Sequence, residues 1–157
     1  MNTIEQLLKL DINELTPKKT TLEIEIPRIS NKLKKKGINE KFMLTAETVS
    51  PDTIYEYESA IYDVDKKGLK INKQEIYKQG LDICCASIID PKYNDEQLIN
   101  FLGITMKHPT ADVVWKKLLL KQEIVSVSQY IIEASRKNID EDEYNESLDK
   151  KRENIKN

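Results

Sequence analysis

A chain of 157 residues is the size of one domain, and at about that length folding buries roughly 68 to 70% of the unfolded surface, so a core forms without disulfide or metal staples. Its 25 Lys plus Arg nearly balance 27 Asp plus Glu, which leaves no global field to steer the chain onto DNA or an anionic membrane. Hydrophobic residues at 39% and charged residues at 33%, with only four glycines and five prolines, fit a soluble, largely helical protein better than a disordered chain or a turn-rich β-sandwich.

Thr3 to Leu10 (TIEQLLKL) opens with a short amphipathic segment, Ile4, Leu7 and Leu8 on one side, that runs toward Ile12 and Leu15 before Pro17 stops it. It lacks the basic-then-apolar order of a signal peptide. No apolar run approaches the about 20 residues that span a bilayer, so the expected compartment is the cytoplasm. Leu22, Ile24 and Ile26 alternate with Glu23 and Glu25, the period-two pattern of a half-buried strand ended by Pro27. The lysine run Lys34, Lys35 and Lys36 before Gly37 reads as an exposed connection between Arg28 and Lys41. A second strand is expected at Phe42, Leu44 and Ala46, antiparallel to the first.

Ser50, Pro51 and Asp52 have the composition of a helix start: a hydroxyl cap, proline at the first helical position and an acid in the first turn. The helix is expected to run to about Val64 with Ile54, Tyr57, Ile61 and Val64 inward, until DKKG (65–68) breaks it. Asn72 caps the next, which carries Ile76, Leu81, Ile83, Cys84, Ile88 and Ile89 before Asp90 and Pro91. Its run ICCASII marks it as the most buried helix. Cys84 and Cys85 are adjacent, too close in sequence for a CxxC knuckle, and read as small residues of a reduced core. Asn94 caps a further helix with Leu98, Phe101 and Leu102 as its buried edge, and Gly103 ends it in a left-handed conformation. His108, alone before Pro109, reads as structural.

The strongest pattern lies in Asp112 to Ser135 (DVVWKKLLLKQEIVSVSQYIIEAS). Leu120, Ile124, Val127, Ile131 and Ala134 alternate at spacings of four and three, one stripe of a helix, and are assigned to the core. From Ile139 the chain turns to IDEDEYNESLDKKRENIKN, dense in charge and nearly free of apolar residues, a composition expected of a mobile or loosely helical tail. The layout is thus α+β and mostly α-helical. One globular domain covers residues 1–138, with a small antiparallel β-hairpin at about 20–49 and about five helices at 50–138, followed by a tail at 139–157.

No GxSxG, P-loop, HExxH, GxGxxG or EF-hand loop occurs. Acid pairs such as Glu23 with Glu25 or Asp140 with Asp142 fall at positions that face water, where no pKa is raised for acid–base work. The chain is therefore expected to be no enzyme, with no catalytic residue, cofactor or metal, and with no nucleic-acid or membrane partner. DNA binding through Lys32 to Lys36 is the weakest alternative.

In a fixed order, EIEIPRIS, FMLTAETVSPDTIYEYE, SIIDPKYNDEQLINFLGI and VVWKKLLLKQEIVSVSQYIIEAS resemble the XkdN-like phage tail assembly chaperones over about Leu10 to Asn138. The chain departs from the family where a Pro-Gly pair often stands. Here Lys121 and Gln122 follow Leu118 to Leu120, which leaves open one long helix or two. The resemblance implies a non-enzymatic protein of contractile-tailed phages, prophages or phage-tail-like bacteriocins. Its partner would be the tape measure protein, kept soluble during assembly, with tail-tube subunits as a second candidate and self-association open. The alternative is a tail or baseplate adaptor retained in the particle.

A tape measure is a long helical chain with apolar stripes, which another helical protein covers by helix-in-groove packing. Because the stripe from Leu120 to Ala134 is assigned to the core, the expected binding face is Val114, Trp115, Leu118 and Leu119.

Overall fold

The computed structural model describes residues 1–139. The element order is α1 (Thr3–Leu7), α2 (Ile12–Leu15), β1 (Thr21–Glu25), α3 (Pro27–Lys35), β2 (Met43–Glu47), α4 (Pro51–Ile61), β3 (Tyr62–Asp65), β4 (Gly68–Ile71), α5 (Lys73–Ser87), β5 (Ile88–Asp90), α6 (Glu96–Phe101), α7 (Ala111–Leu118) and α8 (Lys121–Ile139). The fold is α+β and mainly helical. Residues 140–157, nearly all of the expected charged tail, lie outside the described residues.

The expected strands pair antiparallel, Glu25 opposite Met43 and Thr21 opposite Glu47, with Ile24, Leu44 and Ala46 turned into the core. Two features differ from a plain hairpin. The stretch between the strands, read as a lysine-rich connection, is the helix α3. Pro27 supplies its pre-set first position, Ile29 and Leu33 share its inner edge, and Gly37 at φ 82° lets the chain turn away after it. Its lysines are the wet face of an element. The sheet also gains a third strand, β5, antiparallel to β2, with a bulge at Ile89 between the pairs Ala46 with Ile88 and Thr45 with Asp90.

The helix started by Ser50 forms as expected, with the Ser50 hydroxyl accepting the Thr53 N–H and Ile54, Tyr57 and Ile61 buried. It ends at Ile61 rather than Val64. DKKG is the turn of a second hairpin, β3 with β4, and Val64 is 81% exposed. Helical spacing matched Val64, but only three residues separate it from the glycine, and the hairpin satisfies their backbone groups in a different way. Likewise α5 stops at Ser87, and Ile88 and Ile89, expected in the helix, extend the sheet, so Ile89 faces outward.

The core sits between the three-stranded sheet and the pair α5 and α8, the most extensive contact between any two elements. The helices approach closely at Gly80, where an added Cβ would lie 2.6 Å from Ser128 Oγ and 3.3 Å from its Cβ. Cys84 is fully buried against α8, its thiol donating to the Ile124 carbonyl at 3.7 Å. Ile124, Val127 and Ile131 complete the stripe as expected. Leu120 does not, being half exposed at the joint between α7 and α8.

Candidate functional site

Of the four residues expected to form the binding face, three are core. Val114 and Trp115 are 0% exposed and Leu119 is 4% exposed, all packed within their own chain. The reason lies at the helix joint. α7 ends at Leu118, and Leu119 adopts an extended backbone (φ −109°, ψ 145°) before α8 begins. Two helices in place of one continuous helix let α7 lean inward, which drives Val114 and Trp115 under the roof that α5 and α8 form. The Trp115 indole N–H has no hydrogen-bond partner among the described residues, so the ring is held by packing alone.

The joint is clamped from α3. Arg28 donates from Nε (3.1 Å) and from a terminal nitrogen (2.9 Å) to the Glu123 carboxylate, and the same terminal nitrogen donates to the Leu118 carbonyl at 2.9 Å. That carbonyl is one of those left unpaired where α7 ends. Glu123 also accepts the Leu120 N–H at 2.8 Å, the return half of a capping box for α8. Burial pushes the Glu123 carboxyl upward, but the Arg28 hydrogen bonds, the Leu120 N–H and the Arg28 charge outweigh it and hold the group below the usual glutamate range.

Leu118 alone of the four reaches a surface. It lies on the wall of a groove of about 580 Å³ between α3, α6 and the end of α7. Ile29 and Leu33 from α3 form one side, Leu98, Phe101 and Leu102 from α6 the other, and Phe42 and Pro91 are also in the lining. Ser30 fixes the corner by accepting the Phe42 N–H at 2.9 Å. Asp95, rather than Asn94, caps α6 by accepting the N–H groups of Gln97 and Leu98, and Gly103 at φ 69° ends it as expected. Phe101 was expected on the buried edge of that helix. It is 80% exposed, while Leu98 and Leu102 of the same helix pack against the core.

Four cationic side chains also line the groove. Arg28 is engaged by Glu123, whereas Lys32, Lys36 and Lys117 have no carboxylate partner among the described residues. The volume falls within the about 300–1,000 Å³ of typical ligand clefts, and among the described residues its lining is apolar apart from these cations. An apolar trough beside unpaired ammonium groups suits a chain segment with apolar side chains flanked by acids.

The two cysteines lie outside the groove. Burial and the neighbouring thiol push Cys84 up to about 12, and burial followed by the charges of Asp112 and Asp82 pushes Cys85 up to about 11, so neither is a thiolate nucleophile near neutral pH. No group of three or more His, Cys, Asp or Glu in the described residues is placed to hold a metal ion. No helix there is long and apolar enough to cross a membrane.

The groove was only half legible. Leu98, Phe101 and Leu102 stand at i, i+3 and i+4 and were found as a stripe, but Ile29 and Leu33 hid among the lysines of RISNKLKKK. Their i, i+4 spacing directly after a proline was the signal available. Comparisons of the chain with protein-family models, with curated proteins and with solved structures find no match.

Proposed function

We propose that the chain is a non-enzymatic phage tail assembly chaperone that holds helical segments of the tape measure protein in the groove between α3, α6 and α7, acting in the bacterial cytoplasm during assembly. The observation that carries this reading is an apolar trough with Phe101 standing 80% exposed on its wall, beside lysines without a carboxylate partner among the described residues. A monomer with no use for such a surface would tend to cover it. The order of segments that resembles the XkdN-like chaperones supplies the identity of the partner. The groove supplies its chemistry: an amphipathic helix with large apolar residues at i, i+3 or i+4 and acidic residues on its flanks.

The test is co-expression with the tape measure protein followed by affinity capture. Phe101→Asp and Leu118→Asp are expected to abolish recovery of the tape measure, while Tyr55→Asp, at an exposed position outside the groove, leaves it unchanged. Undiminished capture by both groove variants, each shown to be folded, sinks the assignment. Mass spectrometry of purified particles addresses the identity of the protein. Its presence at stoichiometric level would mean a retained adaptor, and its absence is expected of a chaperone.

A further inference from the structure

The groove is not the only unpartnered apolar surface. Residues 1–16 form an arm with no buried side chain: Ile4, Leu7, Leu8, Leu10, Ile12 and Leu15 are between 46% and 79% exposed. Yet the arm is locally well built. α1 starts with a full capping box, Asn2 accepting the Glu5 N–H while Glu5 accepts the Asn2 N–H, and α2 starts with another formed by Asp11 and Glu14. Two capped helical turns and their link, with six large apolar side chains in water, are costly unless something covers them. The arm also has the opposite charge to the groove lysines, with Glu5, Asp11 and Glu14 against one Lys9.

The topology limits how much of the arm reaches its own groove. β1 runs from Thr21 to Glu25 and leads into Pro27, β2 enters after Phe42 opposite Glu25, and β5 leaves through Asp90 into Pro91. All three chain crossings beside the groove therefore lie at one end of the sheet. The arm leaves from the opposite end, where Thr20 donates to Thr48 Oγ, Thr48 donates back to the Thr20 carbonyl, and the Asn138 side chain donates to the Lys18 carbonyl. The six residue-to-residue steps from Thr20 to Ile26 cover about 20 Å at 3.3 Å each. Leu15 is three residues from the Lys18 anchor, a reach of at most about 10 Å, and the helical turn of α2 adds only about 1.5 Å per residue beyond it. Leu15 and Ile12 do not arrive at their own groove.

We propose that the arm of one chain, residues 3–15, occupies the groove of a second copy, with its leucines and isoleucines against Leu33, Leu98, Phe101 and Leu118 and its acids beside Lys32, Lys36 and Lys117. Because arm and groove are different surfaces of the chain, any open assembly leaves a free arm and a free groove at its ends. This stands apart from the tape measure reading, since it concerns only the chain with itself. Where both hold, the arm competes with the client for one groove.

Sedimentation equilibrium on the full chain, a variant lacking residues 2–16, the full-length Phe101→Asp variant and an equimolar mixture of the two variants tests the proposal. The full chain is expected to gain mass with concentration, and each variant alone to stay at one chain. The mixture is expected to form a one-to-one complex and nothing larger, because one member supplies only a groove and the other only an arm. A synthetic peptide of residues 1–16 is expected to bind the arm-deleted chain, to lose binding on Lys117→Glu with Lys32→Glu, and to regain it when the peptide carries Glu5→Lys and Glu14→Lys. Circular dichroism confirms that each variant is folded. A full chain that stays single at high concentration overturns the proposal, even if the peptide binds, because that combination means the arm folds back on its own body. So does an arm-deleted chain that associates as strongly as the intact one.

Discussion

The α5–α8 pair and the α3–α6 pair are built from similar ingredients and end differently. Each presents apolar residues at spacings of three and four with charge on the outer face. Between α5 and α8 the stripes meet. Gly80 admits Ser128 at contact distance, Cys84 closes on the Ile124 carbonyl, and Ile124 and Ile131 are fully buried. Between α3 and α6 the stripes face one another across a gap of about 580 Å³, and Phe101 projects into water. A stripe therefore signals that something covers it without saying whether the cover is the chain itself. Trp115 and Phe101 exchange the roles expected of them for this reason.

Trp115→Ala tests the filled side most severely. Large-to-small changes of a buried aromatic cost about 3–5 kcal/mol, and full burial places Trp115 in that range. Urea unfolding followed by far-ultraviolet circular dichroism is expected to show a large fall in midpoint, with client capture lost only because the protein unfolds. A fall below about 0.5 kcal/mol, the size of an ordinary surface change, would mean that the ring is not part of the core.

The clamp between the two regions comes next. Removing Arg28, as Arg28→Ala, takes away hydrogen bonds to a charged group and is expected to cost about 2 kcal/mol. The same pair sets a pH dependence. The folded Glu123 carboxyl lies below its unfolded value, so its contribution is present above the unfolded glutamate pKa and is lost as pH falls through the folded one. Wild type is therefore expected to lose more stability than Glu123→Gln on going from neutral to acid pH. Parallel stability curves for the two proteins would remove Glu123 from the account.

Gly80→Ala probes the helix crossing itself. Alanine favours a helix by about 1 kcal/mol over glycine, but overpacking against Ser128 costs about 1–3 kcal/mol. A net loss of about 1 kcal/mol is expected, with partial recovery in the double variant Gly80→Ala with Ser128→Ala. Additive effects in that cycle would deny the contact.

The smallest effect is expected where the comparison began. Phe101→Asp, at 80% exposure, is expected to change unfolding stability by no more than about 0.5 kcal/mol while removing client capture. A severe loss of stability would move Phe101 to the filled side.

Local rules were legible wherever a residue acts on its own neighbours. The Ser50 and Asn72 caps, the left-handed Gly103, the alternation of Leu22, Ile24 and Ile26, and the stripe of Ile124, Val127 and Ile131 each follow from backbone chemistry within a turn or two. The candidate site was less so. Leu118 belongs to the expected face, and Leu98, Phe101 and Leu102 to an expected stripe, but the lysines of α3 outnumber Ile29 and Leu33 and give its sequence the look of an exposed connection.

By itself the sequence determined the α+β class, the starts of α4 and α5 and the residues that shun water. Those depend on propensity, capping and periodicity, which act over a few residues. The tertiary structure alone decided that Trp115 is core, that Phe101 is surface, that Ile88 and Ile89 join the sheet, and that the arm and the groove stand at opposite ends of it. Burial is a property of pairs of surfaces distant in sequence. Leu119 turns inward because Arg28, ninety residues upstream of Leu118, holds that carbonyl in place.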